Sequence, residues 1–435
     1  MTPTSEPADP YFPAYGDRSY AVEHYELGLD YSLESNQLTA RAVIDAVAVT
    51  DLDQLRLDLH ELKVTKVSVE GNRVTKFSQS KGKLVVRFAN RIPEGEPFRL
   101  RIGYTGRPKP VPDGDDEMGW EELADGVIVA GQTHGAPSWF PCNDRPDDKA
   151  SYRIKVTVPN AYRVVANGTL VERRRGAGAS TWEYDQPEPM AAYLATVHIG
   201  RYVERRLESS VPMSVVLPQS GLDRLSDAFG RQPEMMALFE RLFGPYPFAR
   251  YTAVVTEDDL EIPLEAQSLS AFGSNFLTDD WDNVRLVAHE LSHQWFGNSL
   301  TVASWRDIWL HEGFACYSEW LWSEESGGPS ADERATEHWK LLQDLPQDLL
   351  LGDPGPDDMF DDRVYKRGAL LLHTLRRTVG DDTFFTILRT WAGRYHHSTV
   401  SNELFVALTA ELSGEDLGDV FDAWLNETAL PPLPG

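Results

Sequence analysis

The chain has 435 residues, enough for two domains or one large elaborated one, and its 41% hydrophobic, 11% aromatic and 25% charged residues exclude a disordered or collagen-like polypeptide. With 41 Lys and Arg against 68 Asp and Glu, the formal net charge is −27. Such a surface repels phosphate backbones and anionic lipid heads, so neither nucleic acid nor membrane is an expected partner, while cationic substrates such as peptides with a free amino terminus are mildly favoured.

Residues 1–19 read as an amino-terminal tail containing Pro, Asp and Glu, with neither the positive start nor the apolar core of a secretion signal. No apolar run long enough to cross a bilayer follows. Cys142 and Cys316 are the only thiols, far from a disulfide framework, so a reducing, cytoplasmic setting is expected. Residues 20–208 carry short alternating runs such as "YELGLDYSL", "LRLDLH", "KLVVRF" and "YRIKVTV", which predict an antiparallel β domain with one face of each strand buried. After "VPMSVVLPQSGLD" the apolar period lengthens, and residues 209–435 predict a mainly helical domain, with "DAFGRQPEMMALFERLFG" and "GALLLHTLRRTVG" as long helices. Two β segments, "YTAVVTEDD" and "SLSAFGS", interrupt it near its start.

Within the helical half, "DNVRLVAHELSHQWFGNSL" predicts a helix over residues 282–296 stopped by Gly297. His289 and His293 stand one turn apart on a shared face, the spacing with which two imidazoles grip one ion. Glu290, next to the first of them, is placed to take a proton from a water that the metal has acidified. A catalytic zinc needs a third protein ligand and an open position. "SWRDIWLHEGFACYSEW" supplies Glu312 early in a second helix that Asp307 would cap, among the apolar neighbours Trp309, Leu310, Phe314 and Ala315. A carboxylate in such a setting pairs or binds metal. Glu319, two turns along the same face, either supports a ligand or is simply solvated.

"HELSHQWFGN" followed by "WLHEGFA" resembles the M1 family of zinc aminopeptidases, whose pattern is "HExxHxWFGN" and "WLNEGFA". The resemblance implies that His289, His293 and Glu312 bind one Zn2+ and that Glu290 is the general base. "WFPCNDRPDDKASYRIKVTVP" looks like the family segment that ends the amino-terminal β domain. "VYKRGALLLHTL" resembles "YEKGxxxLxxL", which would make Tyr365 the phenol that stabilises the developing oxyanion, with Lys366 and Arg367 in place of the family's "EK". "EIPLEAQSLS" corresponds to the family's "GxMEN" strand, which captures the substrate amino terminus. Glu265 then takes the Glu role, Ala266 replaces the Asn, and Glu261 is the rival carboxylate. Gln132, in "AGQTH", is the implied contact to the first residue of the substrate.

The implied fold is α+β: an antiparallel β domain followed by a thermolysin-like, mainly helical zinc catalytic domain, in a short form without the family's carboxy-terminal helical domain. The implied activity is release of amino-terminal residues from peptides. An endopeptidase or specialised hydrolase on the same zinc is the alternative, since the strand around Glu265 departs from the family pattern. A non-catalytic scaffold of this fold predicts eroded ligands, whereas His289, Glu290, His293, Glu312 and Tyr365 are all present.

Overall fold

In Tyr20–Ser32 the side chains of Val22, Tyr25, Leu27, Leu29 and Tyr31 are buried while most of their neighbours reach solvent, the signature of a strand with one face on a core. The longer step from Val22 to Tyr25 coincides with a bulge in the ladder to Gln37–Ala48, which restores the inward phase. The computed structural model describes residues 8–114 and 116–433. These residues form two units: one contains the described residues up to Arg205 with Ser214–Leu222 and Phe248–Ser274, the other Arg206–Met213, Asp223–Pro247 and the described residues from Asn275 onward.

The first unit is built of sheets. A seven-stranded sheet runs in the order Thr169–Arg175, Ala179–Ala191, Lys149–Pro159, Tyr20–Ser32, Gln37–Ala48, Pro97–Gly106, Lys63–Val69. Its pairs are antiparallel, as the alternation predicts, except that Tyr20–Ser32 and Lys149–Pro159 run parallel with Leu27 opposite Ile154. Parallel neighbours need a long crossover, and here the strands from Gln37–Ala48 to Gly126–Ala130 lie between the two in sequence. The two β segments expected in the second half pair in parallel as Tyr251–Val255 and Leu269–Phe272, with Leu264–Ala266 antiparallel on the outer edge of their sheet. Val216, Val254, Ala266 and Leu269 of this sheet share one apolar cluster with Val165.

The second unit is helical: α1 (Leu225–Ala228), α2 (Gln232–Phe243), α3 (Trp281–Ser292), α4 (Trp309–Glu325), α5 (Ala331–Gln343), α6 (Asp362–Val379), α7 (Asp381–Arg394), α8 (Asn402–Ser413) and α9 (Gly418–Leu425). Helix α3 ends before the predicted Phe296. Beyond Ser292 the bonds first tighten, with the amides of Gln294 and Trp295 donating three residues back to Leu291 and Ser292, and then widen, with the amides of Asn298, Ser299 and Leu300 donating to the carbonyls of His293, Gln294 and Trp295 at 2.9, 3.2 and 3.1 Å, five residues back in each case. Asp307 does not cap α4 as expected. A short turn over Trp305–Asp307 precedes the helix, and the Asp307 carboxylate accepts from the Asn402 amide at 2.8 Å, because that buried amide needs an acceptor. Cys142 and Cys316 are buried free thiols, and among the described residues no helix is long and apolar enough to cross a membrane.

Helices α4 and α6 cross where Gly313 faces Gly368. A Cβ on either residue would lie 2.7 Å from the Cα of the other, so the crossing exists only because both side chains are absent. This contact sets the separation of the helices that carry Glu312 and Tyr365. Gly313→Ala and Gly368→Ala should each destabilise the fold by about 1–3 kcal/mol through overpacking, read as a lower midpoint in chemical denaturation; an unchanged midpoint would show that the helices separate freely.

Candidate active site

The end of α3 and the start of α4 bring together the three ligands expected from sequence. His289, His293 and Glu312 are 5%, 1% and 2% exposed, and one potential ligand atom from each lies within 4.8 Å of the others. Glu312 Oε2 stands 3.3 Å from His289 Nε2 and 3.5 Å from His293 Nε2. Two atoms each about 2.05 Å from one tetrahedral ion are about 3.3 Å apart, so this spacing fits ligands that share a zinc-sized ion.

The far sides of both imidazoles fix which nitrogen is free to bind. His289 Nδ1 lies 2.8 Å from Glu319 Oε1, and His293 Nδ1 lies 2.9 Å from the Phe296 carbonyl. A carboxylate and a carbonyl only accept, so each Nδ1 carries the proton and donates, leaving the Nε2 lone pairs turned toward Glu312. Glu319 is itself held by Arg285, whose Nη1 donates to Oε2 at 3.0 Å. Glu319 is thus a buried acceptor for the His289 ring and not a solvated carboxylate. The sequence left that choice open, and Arg285 was not singled out, although it lies one turn before His289 on the same helix.

The electrostatics favour a cation at this point. Burial works against protonated His289, yet hydrogen bonds to Glu312 and Glu319 outweigh it and raise its pKa to about 10. Burial likewise opposes the Glu312 carboxylate, but the two imidazoles hold its pKa below the usual carboxylate range. Glu290, 4% exposed, is pushed up to about 6 by burial, a value suited to exchanging protons near neutrality.

Tyr365, in the first turn of α6, places its ring centroid 6.0 Å from that of His289. The two residues after it depart from the family pattern, and both have partners elsewhere. Lys366 pairs with Asp362 one turn back, and Arg367 is buried, donating to the carbonyls of Thr428 and Glu427 at 2.7 and 2.9 Å. In the first unit, Glu265 sits on the edge strand Leu264–Ala266, and Gln132 Nε2 donates to its Oε1 at 2.7 Å. The rival Glu261 is exposed and precedes the strand. The structure therefore brings Gln132 and Glu265 together in one unit, and the ligand triad, Glu290 and Tyr365 in the other.

Residues 228–424 match the peptidase family M1 domain and residues 21–194 the peptidase M1 N-terminal domain. A leucyl aminopeptidase of Saccharolobus solfataricus is 26% identical over 454 residues, covering 94% of this chain and 54% of that protein. Aminopeptidase B of Mus musculus is 28% identical over 331 residues, covering 70% of this chain and 50% of its own length. The chain thus spans about half the length of the curated relatives it matches. Among solved structures, the M1 zinc metallopeptidase of Deinococcus radiodurans is similar with a TM-score of 0.89 at 28% identity, over 98% of this chain and 99% of that one. A mutant of that protein bound to a Tyr-Ser-Ala substrate gives a TM-score of 0.90 at the same identity and coverage. With both M1 domains matched in chain order and nearly the whole length superposing on an M1 metallopeptidase, this chain belongs to peptidase family M1.

Proposed function

We propose that this protein is a zinc aminopeptidase that removes amino-terminal residues from peptides. The observation that carries the reading is the convergence of His289 Nε2, His293 Nε2 and Glu312 Oε2 at the spacing of shared ligands, with both Nδ1 protons already committed elsewhere. A zinc ion held by these three residues supplies Lewis acidity, lowering the pKa of a water and polarising the scissile carbonyl. Glu290 takes the proton of the attacking water and returns it to the leaving amine, a task matched to its raised pKa. The Tyr365 hydroxyl donates a hydrogen bond to the oxygen on which charge develops. Glu319 and the Phe296 carbonyl keep the imidazoles oriented.

Restriction to the chain end is assigned to Glu265, whose carboxylate accepts hydrogen bonds from the substrate ammonium while its edge strand pairs with the peptide backbone. Gln132 orients that carboxylate through its amide and faces the first residue of the substrate. Peptides as substrates are supported by the Tyr-Ser-Ala complex of the Deinococcus radiodurans relative. A cytoplasmic location is in keeping with the two buried thiols, which form no disulfide.

On a panel of aminoacyl fluorogenic amides, chelation should abolish hydrolysis and zinc should restore it. Glu290→Gln should lower kcat by about 10²–10⁴-fold while metal content by atomic absorption stays at wild-type level. Tyr365→Phe should lower kcat by about 10²-fold or more. Glu319→Ala should weaken zinc about 10–100-fold in chelator competition, because the His289 ring loses its acceptor. Glu265→Ala should remove the preference for a free over an acetylated amino terminus. Wild-type cleavage of the acetylated peptide at the same rate would instead favour the endopeptidase reading.

A further inference from the structure

Residues 8–18 lie outside every strand, yet they are fastened to the first unit along their length. Ala8 and Asp9 are buried, and the Ala8 carbonyl accepts from Arg18 Nη2 at 2.5 Å. The Gly16 amide donates to Asp58 Oδ2 at 2.9 Å and the Asp17 amide to Asn143 Oδ1 at 2.7 Å. Asn143 belongs to the "WFPCND" segment, whose Cys142 exchanges both backbone hydrogen bonds with Asp58 at 2.8 and 3.0 Å. Between these anchors, Phe12 and Tyr15 lay their rings against the His134 imidazole, with centroids 4.7 and 4.2 Å away.

His134 is two residues beyond Gln132, and the turn that holds both is tightly confined. The Gly135 amide closes it onto the Gly131 carbonyl at 2.8 Å, and the His134 amide donates to Met118 Sδ at 3.4 Å. Thr133 Oγ1 and His134 Nδ1 are 2.9 Å apart. At Gly131 a Cβ would come within 2.1 Å of the Tyr193 carbonyl, so the turn has no room to retreat on that side. With the two rings over it, His134 is only 3% exposed. The amide of Gln132 is thereby presented to Glu265 at 2.7 Å from a turn walled in by residues 8–18.

We propose that residues 8–18 form a strap that positions Gln132, and through it the Glu265 carboxylate, so that Phe12 and Tyr15 act as positioning residues for capture of the substrate's amino terminus. The inference rests on the role assigned to Glu265 above. It places an influence on substrate affinity in a segment whose own sequence has the composition of a tail. Because residues 8–18, Gln132 and Glu265 all belong to the first unit while the triad and Glu290 belong to the second, loss of the strap should act on binding of the amine and not on the chemical step.

The test uses the full-length protein with Phe12→Leu, Tyr15→Leu and the double variant, measuring kcat and KM on a free aminoacyl amide and the inhibition constant of free leucine, which occupies an amine site without turnover. KM and that constant should rise about three- to tenfold, with kcat and zinc content unchanged, and Phe12→Tyr and Tyr15→Phe, which keep the rings, should behave as wild type. An unchanged KM and inhibition constant in the double variant overturns the strap, as does a loss of kcat and zinc in step with KM, which marks general loosening. Glu265→Ala measured in parallel separates two failures. If it leaves KM unchanged, the role of Glu265 falls and takes the strap with it; if it raises KM while the ring-removing variants do not, the strap falls alone.

Discussion

Glu290, Glu312 and Glu319 are held out of water around His289 and His293, each no more than 4% exposed. Carboxylates so buried are costly unless positive charge and hydrogen bonds meet them. Arg285 supplies part of that charge and the Nδ1–H group of His289 a hydrogen bond, and the convergence of two imidazole nitrogens on the Glu312 carboxylate suits a cation that would supply the rest. Much of the helical unit can be understood from this demand. Helix α3 contributes His289 and Glu290, α4 contributes Glu312 and the Glu319 carboxylate that meets His289, and the side-chain-free crossing at Gly313 and Gly368 brings the helix of Tyr365 against α4.

The convergence of His289, His293 and Glu312 was legible because a helix converts sequence spacing into direction. His289 and His293, four apart, share a face whatever surrounds them, and the apolar neighbours of Glu312 announce that its carboxylate is inside. Glu319 was legible only as two alternatives, since a carboxylate two turns along a helix looks the same in sequence whether it meets solvent or an imidazole. What decides it is the neighbouring helix, which carries both His289 and Arg285 to it. Asp307 misled for a related reason: the residue type suits a helix cap, but Asn402, distant in sequence, competes for its oxygens.

In the sheet unit, strand existence followed from alternation, whereas the parallel pairing of Tyr20–Ser32 with Lys149–Pro159 left no local trace. Residues 8–18 show the same limit. Their Pro, Gly and polar content matches a tail, and what orders them is provided elsewhere, by Asp58, Asn143 and His134. Arg367 is a counterpart in the helical unit. In sequence it changes the charge beside Tyr365, but in the fold it faces the carbonyls of Glu427 and Thr428 and ties α6 to the segment after α9. Both cases show local composition overruled by partners that only the fold supplies.

The path from Arg285 through Glu319 to His289 is graded in its access to solvent, with the Arg285 side chain 35% exposed and that of Glu319 4%. Water and dissolved ions therefore reach the outermost member and not the inner two. How firmly Arg285 engages Glu319 determines how strongly that carboxylate draws on the Nδ1 proton, and so how much electron density the imidazole offers from its opposite nitrogen. The basicity of His289 Nε2 is thus adjusted in part from the protein surface, through Arg285.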